Sequence, residues 1–205
     1  MTRRVILASA SPRRKELLEQ MGVTFTVVPS NFDEYLDHSR PPAEVSIELG
    51  LGKARAVAEQ YPEALIIASD TIVTIDGKQY DKPKDVAMAR QWLREHAGKD
   101  VLVTSSLILV CKATNLEIAT VDEATAHFKP YDELVHETYL ETGSWADKAG
   151  GWGIQSGAAP MVAYIRGRFD TVLGLPTELL AKLLEAQGVK AHAVEPSSPV
   201  PLRRR

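Results

Sequence analysis

Arg13, Arg14 and Lys15 follow directly on Ser11-Pro12 in LASASPRRKELL, residues 7–18. Ser11 and Pro12 read as a helix start, a capping side chain followed by the residue whose fixed φ suits the first helical position. That end of a helix carries about half a positive charge and favours carboxylates by roughly 0.3–1 kcal/mol each. Three cations in the first turn oppose that preference. They become favourable once a polyanion docks there, because helix N-termini present unpaired N–H groups and guanidinium groups bind phosphate oxygens in pairs. A solvated helix end with its arginines in water accounts for the same residues, and no GxxxxGK[ST] loop occurs in the chain.

Asp70 closes the apolar run ALIIAS, at the position where open α/β sheets place ligands beyond a strand's carboxyl end. A carboxylate there can hold a divalent cation or take a proton from water, and it can equally cap a Ser-Asp-Thr turn. Asp33 and Glu34 lie in a polar loop, where acids are usually solvated. Lys53 sits among small residues in LGLGKARA, where a long cation can snorkel to the surface, and Lys82 stands in DKPKD. Four glycines punctuate DKAGGWGIQSG, residues 147–157, and permit close backbone approach to a ligand. Asp147, Lys148 and Gln155 add polar groups to that stretch, the Gln155 amide being able to read both donor and acceptor edges of a base.

The elements that must position these groups are legible from periodicity and punctuation. Val5–Ala8 reads as a buried strand leading into a helix from Ser11 that stops at Gly22, and Thr24–Val28 as a second strand. A helix is expected from Pro42 to Gln60, then a strand over Ala64–Ala68. Strands Ile72–Ile75 and Lys78–Tyr80 flank the hairpin dipeptide Asp76-Gly77. Lys82-Pro83 is expected to open a helix running to Glu95. Val101–Cys111 and Glu117–Phe128 form a hairpin around KATN. A helix over Tyr131–Glu141 follows, then strand candidates Val162–Ile165 and Thr171–Leu173. A last helix starts at Pro176, burying Leu179, Leu180, Leu183 and Leu184. The expected division is a domain over 1–193 and a flexible tail over 194–205. Alternation of strands and helices, then antiparallel pairs, implies a mixed sheet in an α/β or α+β domain.

The chain has 205 residues, 44% hydrophobic and 25% charged, with a formal charge of −3. That is an ordinary globular composition without the basic surplus of a general nucleic-acid binder. Cys111 is the sole cysteine, which excludes an internal disulfide, and the five histidines show no zinc-like spacing. No apolar run reaches membrane length. A cytoplasmic protein, binding neither nucleic acid nor membrane, is expected.

Together the segments resemble the Maf-type nucleoside triphosphate pyrophosphatases. The resemblance runs through LASASPRRKELL, FDE at 32–34, LGLGKA at 49–54, ASDTIV at 68–73, KP at 82–83, ETGSWADKAGGWGIQ at 141–155 and GLP at 174–176. The chain departs from the pattern at Asp81, Val101-Leu102-Val103, Ser144-Trp145 and Ser156. The resemblance implies an α/β fold like that of the inosine-triphosphate pyrophosphatases, two lobes around a twisted mixed sheet with the active site in the cleft between them. It implies cleavage of a nucleoside triphosphate, dTTP or UTP from the DKAGGWGIQ element, to monophosphate and pyrophosphate, a house-cleaning role. By the same matching Asp70 is the proton acceptor, assisted by Glu34, Lys53 and Lys82. Ser9, Arg13, Arg14, Thr71, Asp147, Lys148 and Gln155 bind substrate, with Arg13, Thr71 and Gln155 governing its choice. Asp70 and Glu34 hold a divalent cation, Mg²⁺ or Mn²⁺, and a homodimer fits the family. Two alternatives stay open: a 7-methyl-GTP-type pyrophosphatase, and a non-catalytic nucleotide-binding regulator of cell division.

Overall fold

The computed structural model describes residues 3–33, 35 and 37–203. Its centre is a mixed sheet of nine strands: β1 (Val5–Leu7), β2 (Thr26–Val27), β3 (Leu65–Ala68), β4 (Thr71–Ile75), β5 (Lys78–Tyr80), β6 (Asp100–Cys111), β7 (Leu116–Phe128), β8 (Val162–Arg166) and β9 (Leu202–Arg203). The order is β2-β1-β3-β6-β7-β8-β9, with β4 also on β6 and β5 beyond it. β1 pairs parallel with β2 and β3, and β6 pairs antiparallel with β3, β4 and β7. The helices are α1 (Pro12–Gln20), α2 (Pro42–Gln60), α3 (Val86–His96), α4 (Glu133–Glu141), α5 (Phe169–Val172) and α6 (Thr177–Ala186). This is the α/β class expected from the sequence, a mixed sheet flanked by helices.

Two apolar layers cover the sheet. One face packs Leu7, Leu65, Ile67, Val73, Val103 and Phe128 with α1, α3, α4 and α6, and the other packs Ile6, Ile66, Ala68 and Ile108 under α2. α2 buries Val45, Leu49, Lys53, Ala54, Val57 and Ala58, a stripe at helical spacing. A Cβ on Gly50 would stand 2.7 Å from Ile108 Cγ1 and 2.9 Å from Ser106 Oγ, so the missing side chain is what lets α2 approach β6. Asp76 and Gly77 both have positive φ, 50° and 80°, as a two-residue hairpin loop requires.

Five sequence expectations need correction. Ser11 makes no side-chain capping bond; its own N–H donates to Ser9 Oγ at 3.2 Å. α3 begins at Val86 rather than at Lys82-Pro83, because the Asp85 side chain accepts from Met88 N–H at 2.7 Å and sets the first turn there. Thr171–Leu173 is no strand; residues 169–172 form α5, folded around the buried Asp170 carboxylate, which accepts from Thr171 N–H, Thr177 N–H and Thr177 Oγ. Thr24–Val28 contributes only Thr26–Val27 to the sheet. The stretch expected to be a loose tail carries β9, which pairs parallel with β8.

Candidate active site

Asp70 lies in a short break between β3 and β4, and its orientation follows from register. Ala68 stands opposite Ile108 and Thr71 opposite Ser105, so the chain crosses the break without an inserted residue. Side chains therefore keep alternating. Ile66, Ala68, Asp70 and Ile72 share the face covered by α2, whereas Ile67, Ser69 and Thr71 share the other. Ser106 holds the break: its N–H donates to Asp70 O at 2.9 Å, and its hydroxyl accepts the Asp70 N–H at 2.9 Å. That hydroxyl donates to Ser46 O at 2.8 Å, tying the first turns of α2 to Asp70. Two turns along α2 from Ser46, Lys53 Nζ is bonded to Asp70 Oδ1, both residues being buried.

Behind this pair the opposite face carries a chain of hydroxyls. Ser105 Oγ donates to Thr171 O at 2.9 Å. Its proton is thereby used, so in its 3.0 Å contact with Thr71 Oγ1 the threonine is the donor. Thr71 Oγ1 in turn accepts from Arg14 Nη2 at 3.0 Å. Arg14 also donates to Ser9 Oγ at 3.2 Å and, through Nε, to Gly174 O at 2.9 Å. Gly174 has φ +95°, and a Cβ there would meet Thr71 Oγ1 at 2.9 Å. Arg14 is thus built into the wall, while its neighbour Arg13 faces the 147–154 segment.

That segment is pinned from several sides. Gly150 N–H donates to Asp81 O at 3.0 Å, and Gly153 N–H to Tyr139 Oη at 3.0 Å. Lys148 Nζ is paired with Asp147, and a Cβ on Gly153 would sit 2.9 Å from Lys148 Cε, so the glycine lets the lysine stem pass. Burial draws the Arg13 guanidinium below its ordinary pKa, against the opposing pull of Asp147, Tyr139 and Glu16. Burial works to raise the Asp147 carboxyl, but Lys148 and Arg13 outweigh it and hold it below the usual range. The Tyr139 phenol is pushed up to about 12, chiefly by burial, and stays neutral. A buried guanidinium whose charge is under-compensated gains from an incoming anion.

These segments enclose a cavity of about 410 Å³, within the range of small-molecule sites. Its lining brings together Ser9, Arg13, Arg14, Lys53, Asp70, Thr71, Lys82, Asp147 and Lys148. Five of these are cations, against the three lining carboxylates Asp70, Asp81 and Asp147. Gln155 is not brought to the wall; its side chain is exposed in the turn Ile154–Ser156, although Ile154 lines the cavity. Glu34 lies outside the described residues. Sequence reasoning missed Ser105, Ser106, Tyr139 and Gly174; the signal for the serines was three hydroxyl residues in a row, Thr104–Ser106, inside an apolar strand.

The donor chemistry suits a hard divalent cation only in part. Among the described residues no three His, Cys, Asp or Glu side chains gather as a ready-made cage. Mg²⁺ needs little more than one or two carboxylates plus substrate phosphates, and a carboxylate bonded to lysine retains further lone pairs. Asp70 can therefore serve as the protein's share of such a site.

Residues 4–187 match the model of the family described as Maf-like protein. The chain belongs to the Maf family. This Maf chain is 40% identical over 184 residues to the dTTP/UTP pyrophosphatase of Symbiobacterium thermophilum, an alignment covering 90% of this chain and 94% of the relative. It is 39% identical over 191 residues to the dTTP/UTP pyrophosphatase of Deinococcus radiodurans, covering 93% and 96%. The enzyme of that name from Pyrococcus furiosus is 37% identical over 183 residues, covering 89% and 95%. No helix among the described residues is long and apolar enough to cross a membrane.

Proposed function

We propose that this Maf chain hydrolyses dTTP and UTP to the nucleoside monophosphate and pyrophosphate. The observation that carries the reading is the convergence of Arg13, Arg14, Lys53, Lys82 and Lys148 on one cavity, with Asp70 held by Lys53 inside it. Five cations from four separate stretches of sequence at one cavity match a ligand with charge spread over several phosphates. The names of the relatives supply the nucleotides.

The triphosphate lies over the start of α1, where Arg13, one of the cations that opposed the helix dipole, faces phosphate oxygens. Arg13, Lys82 and Lys148 bind it, and Arg14 with Thr71 forms the rigid backing. Asp70 accepts the proton of a water that attacks the α-phosphorus in line. The bond from that phosphorus to the bridging oxygen breaks, and pyrophosphate leaves with both electrons of that bond. Lys53 orients Asp70 and balances its charge. Asp70, with Glu34 as the further ligand implied by the resemblance, would hold a divalent cation, which would supply charge screening and polarise the phosphorus. Gln155 is assigned to the base end, next to Ile154.

The reading is tested by Asp70→Asn. Nucleotide binding is expected to persist while pyrophosphate release falls by about 10²–10⁴-fold, the usual worth of a general base. Unchanged turnover with dTTP would remove Asp70 from this role. A substrate panel of dTTP, UTP, CTP and 7-methyl-GTP, with and without Mg²⁺, checks the nucleotide and the cation.

A further inference from the structure

We infer that Phe32 is a positioning residue for the Asp70–Lys53 centre and that Gly52 exists to seat its ring, an inference that rests on the function proposed above. Gly52 is the fifty-second residue of a chain whose α2 runs unbroken from Pro42 to Gln60, and its backbone is helical, so no turn geometry calls for glycine there. Glycine is a poorer helix former than alanine at such a position. A Cβ at Gly52 would stand 2.3, 2.5 and 2.6 Å from Phe32 Cζ, Cε2 and Cε1. The ring thus rests directly on the helix backbone, one residue before Lys53.

The same ring packs against Val45, Leu49 and Ile72. Leu49 and Ile72 line the cavity, and Ile72 follows Asp70 on the α2 face of the strand. Pro29 and Ser30, a few residues before Phe32, form part of the cavity wall as well. Val28 N–H fixes the near end of this stretch by donating to Leu7 O at 3.0 Å. Phe32 therefore locks three things together: the wall at 29–30, the helix turn that carries Lys53, and the strand that carries Asp70. Gly50 has a different duty, since its missing Cβ faces β6 and not the ring.

This arrangement separates activity from stability. In Gly52→Ala the new methyl meets the far end of a side chain, so the ring and its segment give way while α2 stays helical. The variant is expected to keep or raise its melting temperature and to lose about tenfold or more in kcat/KM for dTTP, mostly in kcat, since displacement by about 1 Å can cost about 10²-fold. Phe32→Ala is expected to show a similar loss, and the double variant no greater loss than Phe32→Ala alone, because both remove one contact. Phe32→Leu in the Gly52→Ala background, with a shorter side chain, is expected to recover part of kcat. Chymotrypsin cleavage after Phe32, followed by mass spectrometry, is expected to quicken in Gly52→Ala. Wild-type kcat/KM and wild-type cleavage in Gly52→Ala, or losses that multiply in the double variant, would overturn the inference. If the wild-type chain hydrolyses no nucleoside triphosphate, the proposed function fails, and the cleavage rates still decide whether Phe32 is seated on Gly52.

Discussion

Replacing Ser106 by alanine would leave the buried Asp70 N–H without its partner, whereas the Ser46 carbonyl, already an acceptor inside α2, would lose only a second bond. At about 1–3 kcal/mol for a buried group left unpaired, a loss of that size is expected in stability, read from urea unfolding. Turnover should fall as well, since the break that aims Asp70 at Lys53 is held by that hydroxyl. A fully stable Ser106→Ala variant would mean that Asp70 is placed by Lys53 alone. The contrast with Asp70 shows what a sequence reveals at this scale. Asp70, Arg13 and Arg14 were legible because a carboxylate at a strand's end and cations at a helix start violate local preference. Ser105, Ser106 and Tyr139 act through partners distant in sequence, so even the run of hydroxyls Thr104–Ser106 did not say what it holds. The seat of Phe32 was unreadable, although FDE at 32–34 marks the residue, because its partner is a glycine, which carries no side chain to mark the contact.

α2 and the hairpin between β6 and β7 follow their apolar periodicity closely, and the Asp76-Gly77 turn follows its dipeptide. α5 does not, because Thr-Val-Leu has a strand's propensity that the buried Asp170 overrides by drawing Thr171 and Thr177 onto one carboxylate. The end of α3 bears a pH signature. His96 is fully buried among Tyr80, Phe128 and Gly150, with Lys78 and Glu95 the nearest charges, and burial holds its pKa down at about 4. Its unfolded value is about 6.5. Between those values the unfolded chain binds a proton that the folded chain refuses, so stability falls as pH drops from 6.5 towards 4, by about 3 kcal/mol in full. Glu95 moves the other way from its ordinary 4.5: burial works to raise it, but bonds from Lys78, Tyr80 and Gln91 prevail and hold it at about 2. Its stabilisation is present above 4.5 and lost as pH falls through 2. As pH falls from 7 to 4, the urea midpoint is expected to decline in the wild type and to stay nearly flat in His96→Phe.

At the scale of the whole molecule, β9 closes one edge of the sheet. Ile165 N–H donates to Pro201 O at 2.9 Å, Gly167 N–H to Arg203 O at 3.2 Å, and Arg203 lies 3.7 Å from the centre of the Tyr164 ring. Thr177 and Arg168 hold Val194 O and so fix the approach to that edge. Truncation after Glu195 would keep this anchor and strip the edge strand. It is expected to lower the melting temperature by a few degrees and to cause concentration-dependent self-association, seen by analytical ultracentrifugation. The middle of the sheet has a consequence for synthesis on the ribosome. β6 pairs with both β3 and β4, so the two strands that flank Asp70 share a partner found at residues 100–111. A nascent chain of about 95 residues already holds Arg13, Arg14, Lys53, Asp70 and Lys82, yet lacks the strand that joins β3 to β4. A ribosome that stalls before that strand emerges leaves one edge of Leu-Ile-Ile-Ala unpaired for chaperones to cover.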